Sequence, residues 1–116
     1  MIYLASPYSD PDPMVRQQRF LMVCREAAHL MRQGDMVYSP IAHGHCISRF
    51  GLPFDAEYWE SHNRLMLARC ESLAVLRLPG WETSVGVQRE IELAKAMGIP
   101  IRHLAPRENA PAGAEA

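Results

Sequence analysis

Short apolar runs alternate with helical patterns along this chain, and the alternation restricts the possible fold more than any other feature. Apolar runs at residues 2–5, 36–39 and 73–76 are stopped by Ser, Pro or Gly residues, as buried strands usually are. Residues 100–104, which begin with proline and include Arg102 and His103, can form a fourth strand. Residues 13–33, 56–69 and 84–97 repeat apolar side chains every three or four positions, which predicts amphipathic helices. Strands that alternate with helices form parallel sheets through right-handed crossovers.

We therefore predict a small α/β domain of the doubly wound, Rossmann-like type, with four to five parallel strands and helices on both faces. The domain covers residues 1–105, and residues 106–116, which are rich in Ala, Gly, Pro and Glu, are predicted to form a flexible tail. Residues 41–55 are predicted to form a loop with weak internal order, because they contain Gly, Pro and His and follow a strand stopped by proline. Long loops of this kind often carry function.

Composition excludes several classes of protein. With 116 residues, 48% of them hydrophobic, the chain can form one real core. A net charge of -1 without a basic stripe makes a nucleic-acid polymer an unsuitable partner, and no apolar run is long enough to span a membrane. The three cysteines form no CxxC pair, which favours a reducing compartment. We expect a cytoplasmic protein.

Ligands of doubly wound sheets bind at the carboxyl ends of the strands, where the strand order reverses. The residues expected there are 6–12, 39–45 and 78–84, and they include Ser6, Pro7 and Tyr8. Arg19 in the following helix could reach an anion, or it could simply be solvated. The first loop contains neither GxGxxG nor a P-loop motif, so we expect no dinucleotide and no other cofactor.

Glu90 lies at the border of the apolar stripe formed by Val87, Ile91 and Ala94, whereas Glu92 points away from it. Helical side chains lean toward the N-terminus, so Glu90 projects back over Gly86, where the missing side chain leaves room for a substrate ring. The spacing alone leaves two interpretations open, a boundary glutamate and a carboxylate in a binding site.

Other polar residues fall at the expected site. Asn63 shares a helix face with Trp59, and it is either a core amide bonded to a loop carbonyl or a group pointing into the pocket. His43 and His45 would line the same cavity if the backbone stays extended. With no third ligand at a recognisable spacing, we expect no metal, and substrate contact by neutral imidazoles is the favoured interpretation.

Four segments of the sequence carry a resemblance to a known group of proteins. "IYLASPYS", "SPIAHGHC", the W-x-x-x-N-x-L-M-L-x-x-C-E segment and "LRLPGWETSVGVQREIELAKAMGIPI" together resemble the nucleoside 2-deoxyribosyltransferase-like superfamily, and within it a small family of uncharacterised bacterial and phage domains. The resemblance extends in order over about residues 1–104, and its most specific part is S-x-G-V-x-x-E together with the tyrosine of the first strand.

The resemblance implies cleavage of the N-glycosidic bond of a nucleoside or nucleotide. Glu90 would attack the anomeric carbon to form a covalent glycosyl-enzyme, and Tyr3 would hold that carboxylate by a hydrogen bond. Ser84 stands where nucleotide hydrolases of the superfamily have a serine near the 5′-phosphate. Asn63 stands where the superfamily commonly has an acidic residue, and an amide cannot act as a general acid. Asp55 or Glu60 could supply the proton instead.

Three functions follow from these alternatives. The first is a glycosidase or deoxyribosyltransferase, a homodimer like its relatives, in which Trp59, Phe54 or Trp81 stacks on the base. The second is a module of the same fold that binds a nucleotide and performs no chemistry. The third, a metal-dependent hydrolase built on His43 and His45, has the weakest support because only two ligands are evident.

Overall fold

The computed structural model describes residues 1–107, so residues 108–116 of the predicted tail at 106–116 lie outside the described residues. The strands are β1 (Ile2–Ala5), β2 (Val37–Tyr38), β3 (Ser72–Leu76) and β4 (Ile101–Leu104). The helices are α1 (Pro13–Arg32), α2 (Pro40–Ile47), α3 (Ala56–Ala68) and α4 (Val85–Met97), with a 3-10 turn at Ser48–Phe50. No helix within the described residues is both long and apolar enough to cross a membrane.

All four strands pair in parallel, in the order β2-β1-β3-β4. Ile2 is the Cα partner of Val37 on one side and of Ser72 on the other, and Leu73 pairs with Ile101. The chain leaves β1 toward one edge and returns to β3 on the other side, so the strand order reverses between β1 and β3. The predicted doubly wound α/β fold is confirmed, with four strands among residues 1–107.

The alternation of side chains along each strand builds two apolar cores. Tyr3 and Ala5 of β1 face the layer that contains α3 and α4, where they pack with Leu67 and Val87. Leu4 faces the opposite layer, with Val23, Leu30 and Ile41 of α1 and α2. A strand covered on both faces is apolar at every position, which explains the continuous apolar runs in the sequence.

Capping residues define the helix ends that the sequence predicts. The Asp12 carboxylate accepts a hydrogen bond from the Met14 amide at 2.9 Å at the start of α1, and the Ser84 hydroxyl accepts one from the Val87 amide at 3.3 Å at the start of α4. Gly98 ends α4 with φ of 71°, a left-handed conformation that glycine adopts without steric cost. Predicted and observed bounds of α1, α3 and α4 therefore agree closely.

The prediction of a loop at residues 41–55 is wrong over its first part, where α2 and the 3-10 turn form. The Ser39 hydroxyl accepts a hydrogen bond from the Ala42 amide at 3.0 Å, and Pro40 occupies the first turn. Serine as a cap followed by proline is a signal that starts a helix as well as one that ends a strand. Burial of Ile41 against the sheet then stabilises this short helix.

Candidate active site

A cavity of about 850 Å³ opens at the carboxyl ends of β1 and β3, where the strand order reverses. Its walls come from the loops after these two strands, from α2 and α3, and from the first half of α4. Most of the residues predicted from the sequence line it: Ser6, Pro7, Tyr8, Arg19, His45, Asp55, Trp59, Asn63, Ser84, Gly86 and Glu90. The rule that ligands bind where strand order reverses therefore identifies the same edge as the cavity.

Glu90 lies on the cavity wall, two turns into α4, with 8% of its surface exposed. It shares the buried stripe of α4 with Val87 and Ala94. Within residues 1–107 no basic side chain forms an ion pair with it. Burial raises the pKa of Glu90 to about 7, against the opposing effect of a hydrogen bond from Tyr3. The carboxylate is thus desolvated, without a neutralising partner, at the edge of an open space.

Tyr3 lies beneath Glu90 and is fully buried, so it supports the cavity wall from behind and does not line it. Its hydroxyl donates a short hydrogen bond to Oε2 of Glu90. Burial and the neighbouring carboxylate raise the pKa of Tyr3 well above its ordinary value, so the phenol stays protonated and remains a donor. The side chain of Tyr38 packs against it, with ring centroids 5.6 Å apart, which fixes the orientation of the phenol.

Gly86 lies one turn before Glu90 at the point where α4 approaches α3. A Cβ atom at Gly86 would lie 3.6 Å from Cβ of Ala56, an ordinary contact distance, and both residues line the cavity. The glycine therefore keeps the gap between the two helices open next to the Glu90 carboxylate.

Two buried polar atoms at the cavity have no partner in the part of the chain that the structure describes, Oγ of Ser6 and Oδ1 of Asn63. Buried polar atoms are nearly always hydrogen-bonded, and both residues line the cavity. Ser6 ends β1, whereas Asn63 extends from α3. The cavity wall therefore contains two polar atoms whose hydrogen-bonding capacity is unmet by residues 1–107.

The carboxylates considered as alternative acids have other functions. Asp55 caps α3 by accepting a hydrogen bond from the Tyr58 amide at 2.8 Å. Glu60 binds Arg64 at 2.9 Å and Arg89 at 3.1 Å, and these arginines lower the pKa of Glu60. A carboxylate held in its ionised form is a poor proton donor.

Tyr8 and His45 form a hydrogen-bonded pair on the wall contributed by α2 and the loop after β1. The Tyr8 hydroxyl lies 2.6 Å from Nδ1 of His45, and Nε2 of His45 lies 2.9 Å from Oε1 of Gln17. Because an amide oxygen only accepts, Nε2 carries a hydrogen, and in the neutral imidazole Nδ1 accepts from Tyr8. Phe20 stacks on the imidazole at 4.1 Å between ring centroids. Burial, with Arg49 and Arg16 nearby, lowers the pKa of His45.

The expectation that His43 lines the cavity together with His45 is wrong. It required an extended backbone, and in α2 two residues that are two positions apart point in different directions. His43 is exposed and stacks on His62, with ring centroids 5.2 Å apart. Among the described residues no three His, Cys, Asp or Glu side chains group in a way that could hold a metal ion.

Arg19 joins the two loops at the point of strand reversal. Its guanidinium lies 3.1 Å from the Ser9 carbonyl and 3.4 Å from that of Pro79. Gly80 has φ of 93°, and a Cβ there would lie 3.2 Å from Nη2 of Arg19, so glycine permits both the turn and the close approach. Arg19 is therefore partly bonded to the backbone and partly presented to the cavity.

Aromatic side chains form the outer wall. Trp59 lies against Gly44 and donates a hydrogen bond from Nε1 to the Pro53 carbonyl at 2.9 Å, and Phe54 lines the cavity beside it. Trp81 lies away from the cavity lining and packs near His103, with ring centroids 5.4 Å apart. Of the three candidates for base stacking, the cavity contains Trp59 and Phe54.

Sequence reasoning missed Gln17 and Arg89. Gln17 lies three residues before Phe20 on α1, and both contact His45, so the three-residue spacing on one helix face was the available signal. Arg89 lines the cavity next to Glu90 in the sequence but bonds to Glu60 of α3. Only the packing of α3 against α4 reveals that contact.

Residues 1–105 match the family described as "Domain of unknown function (DUF1937)", and the chain therefore belongs to that family. The match covers β1 to β4 and with them the whole cavity. No curated protein sequence matches the chain.

Proposed function

We propose that this member of the DUF1937 family is an enzyme that cleaves the N-glycosidic bond of a small nucleoside or nucleoside 5′-monophosphate, with water or a second base as the acceptor. Glu90 is the nucleophile and forms a covalent glycosyl-enzyme. The observation that carries the proposal is a buried carboxylate that has no ion-pair partner among residues 1–107 and faces a cavity of about 850 Å³ at the strand-reversal edge.

The electrostatics of Glu90 suit this reaction. Cleavage of a glycosidic bond passes through a transition state with positive charge on the sugar. The ionised carboxylate is poorly stabilised in the free enzyme, because burial raises the pKa of Glu90 to about 7. The developing sugar cation supplies the missing opposite charge, so the attraction is stronger in the transition state than in the ground state.

Tyr3 assists by holding the carboxylate in one orientation. Its hydroxyl donates to Oε2, which leaves Oε1 as the oxygen that attacks the anomeric carbon. In the first step Oε1 forms a bond to that carbon as the bond to the base nitrogen breaks. In the second step the acceptor displaces Oε1 and restores the carboxylate.

The remaining walls of the cavity fit the other parts of a nucleotide. Trp59 and Phe54 offer aromatic surface for a base. Ser84 begins α4, and a helix N-terminus favours an anion such as a 5′-phosphate; Arg19 contributes a positive charge from the facing loop. The volume lies within the roughly 300–1,000 Å³ of small-molecule sites.

We further propose that a second copy of the chain covers the mouth of the cavity. Phe50, in the turn between the lining residues Ser48 and Phe54, is 88% exposed. Members of the superfamily that the sequence resembles complete the site with a neighbouring chain, and Phe50 would lie in that contact. Light scattering on the purified protein tests this, with a dimer expected.

A nucleotide-binding module without catalysis is the second candidate. Asn63 supports it, since the amide stands where the resembling superfamily commonly has an acidic residue, and its Oδ1 has no partner within residues 1–107. Such a module would bind nucleotides with Asn63 and leave the glycosidic bond intact.

Incubation with a panel of nucleosides and their monophosphates, with and without an added base, tests the proposal. Chromatography should show free base with the wild type and none with Glu90→Gln. Glu92→Gln is the matched control, because Glu92 lies on the same helix but is exposed. Binding without base release by the wild type would favour the module, and equal release by both variants would remove Glu90 from the mechanism.

A further inference from the structure

The cavity needs a group that can give a proton to the departing base, and the residues expected to do so are unsuited to it. Asn63 has no dissociable proton at neutral pH, Asp55 caps α3, and Glu60 is bound by two arginines. The wall formed by α2 and the loop after β1 offers another source, the hydrogen-bonded chain Tyr8, His45 and Gln17.

This chain has the geometry of a proton relay. The Tyr8 hydroxyl lies 2.6 Å from Nδ1 of His45 and donates to it when the imidazole is neutral, and Gln17 keeps the other hydrogen on Nε2 by accepting from it at 2.9 Å. His45 is only 7% exposed and is clamped by the stacked ring of Phe20. Tyr8 and His45 belong to elements after β1 and β2, whereas Glu90 follows β3, so they line the same cavity from different sides.

We propose that Tyr8 is the acid and base of the reaction and that His45 acts through it as a positioning residue that stores the proton. The inference rests on the proposed function, since it assigns the proton transfers of that reaction. It does not involve Asn63 in any proton transfer.

The protons balance over the two steps. In the first step, the nitrogen of the departing base accepts the hydroxyl proton of Tyr8, and the Tyr8 oxygen accepts a proton from Nδ1 of the imidazolium. At the same time Oε1 of Glu90 forms a bond to the anomeric carbon, and the bond from that carbon to the base breaks. In the second step, water attacks the anomeric carbon, and the bond between that carbon and Oε1 of Glu90 breaks. The water gives a proton to the Tyr8 oxygen, and the hydroxyl proton of Tyr8 passes to Nδ1 of His45. His45 ends the cycle protonated, as it began.

The neutral imidazole, with Nε2 donating to Gln17 and Nδ1 able to accept from Tyr8, is the form required for the second step. Because burial and the neighbouring Arg49 and Arg16 lower the pKa of His45, the imidazolium needed for the first step is scarce near neutral pH. Departure of the base is therefore expected to be the slower step for a natural nucleoside.

Tyr8→Phe tests the assignment, compared on two substrates with the same sugar. The first is the nucleoside that the wild type cleaves, and the second is the 4-nitrophenyl glycoside, whose leaving group departs without a proton. Base release should fall by about 10²–10⁴-fold, while the burst of nitrophenol should be nearly unchanged. Equal losses on both substrates would indicate a structural role, and no loss on either would also overturn the proposal.

The second step gives an independent readout. With the 4-nitrophenyl glycoside, Tyr8→Phe should accumulate the glycosyl-enzyme, because no base activates water, and azide should restore turnover, because azide needs no base. His45→Gln should behave in the same way, since glutamine can bond to Tyr8 but cannot take a proton. Tyr58→Phe is the control, an exposed tyrosine outside the cavity lining, and should match the wild type.

Failure of this inference is distinguishable from failure of the proposed function. If the wild type releases base and Glu90→Gln does not, the assignment of Glu90 as the nucleophile holds whatever the result with Tyr8→Phe. Lack of azide rescue in both Tyr8→Phe and His45→Gln would then refute the relay alone.

Discussion

Replacing Glu90 by glutamine should stabilise the protein at alkaline pH while it abolishes activity. Burial raises the pKa of Glu90 from 4.5 to about 7, so the folded chain holds this proton more tightly than the unfolded chain does. The stabilisation is complete below about pH 4.5 and is lost as the pH rises through about 7. At about 1.4 kcal/mol for each tenfold change in proton affinity, the loss amounts to about 3 kcal/mol. Glutamine keeps the shape of the side chain and titrates nowhere in this range.

Urea unfolding of the two proteins at about pH 5 and about pH 8 measures this directly. Other groups titrate in both proteins, so the quantity to compare is the difference between them, which should grow by about 2.5 kcal/mol from the lower to the higher pH, because part of the effect is already lost at about pH 5. In melting temperature this is about 10 °C for a chain of this size. Glu92→Gln, at an exposed position, should show no such growth. If Glu90→Gln and the wild type lose stability in parallel, the carboxylate is not desolvated and the electrostatic reasoning fails.

Three further substitutions test the surroundings of Glu90. Release of nitrophenol from the 4-nitrophenyl glycoside should rise with pH as Glu90 ionises near pH 7. Tyr3→Phe should move that rise to higher pH, because it removes the hydrogen bond that lowers the pKa of Glu90. An unchanged pH profile in Tyr3→Phe would contradict this. Asn63→Leu removes an acceptor that has no partner within the described residues, so the free energy of unfolding should increase by about 1–2 kcal/mol. The KM for the nucleoside should rise in the same variant. A loss of stability would mean that Oδ1 of Asn63 does have a hydrogen-bond partner. Gly86→Ala places a methyl group 3.6 Å from Cβ of Ala56 and should stabilise α4 by about 0.5–1 kcal/mol. The same methyl group should weaken nucleotide binding, measured by calorimetry. Unchanged affinity would show that the ligand does not occupy the gap between α3 and α4 at Gly86.

The sheet and three of the four helices could be predicted from sequence because their signals are local. Ser84 and Gly98 bound α4 at the predicted ends, and a buried parallel strand such as Ile2–Ala5 needs an apolar residue at every position. The helix at Pro40–Ile47 was missed because Ser39 and Pro40 serve two purposes. They stop a strand and start a helix, and the choice depends on Ile41 reaching the core.

Some features of the candidate site also follow from local sequence signals, and others do not. The position of Glu90 on the border of an apolar stripe follows from helical periodicity, and its proximity to the carboxyl ends of the strands follows from the topology rule. The contact of Tyr8 with His45 depends on how α2 lies beside the loop after β1, which no spacing in the sequence specifies. His43 was misplaced for a different reason, because the predicted backbone at that position was extended and the true one is helical.

The most direct measurement is mass spectrometry of the protein quenched during turnover of a nucleoside or nucleotide, followed by peptide mapping. The account predicts a mass increase equal to the sugar on the peptide that contains Glu90, lost on longer incubation and absent in Glu90→Gln. Base released at the same rate by Glu90→Gln, with no sugar attached to the wild-type peptide, would contradict it.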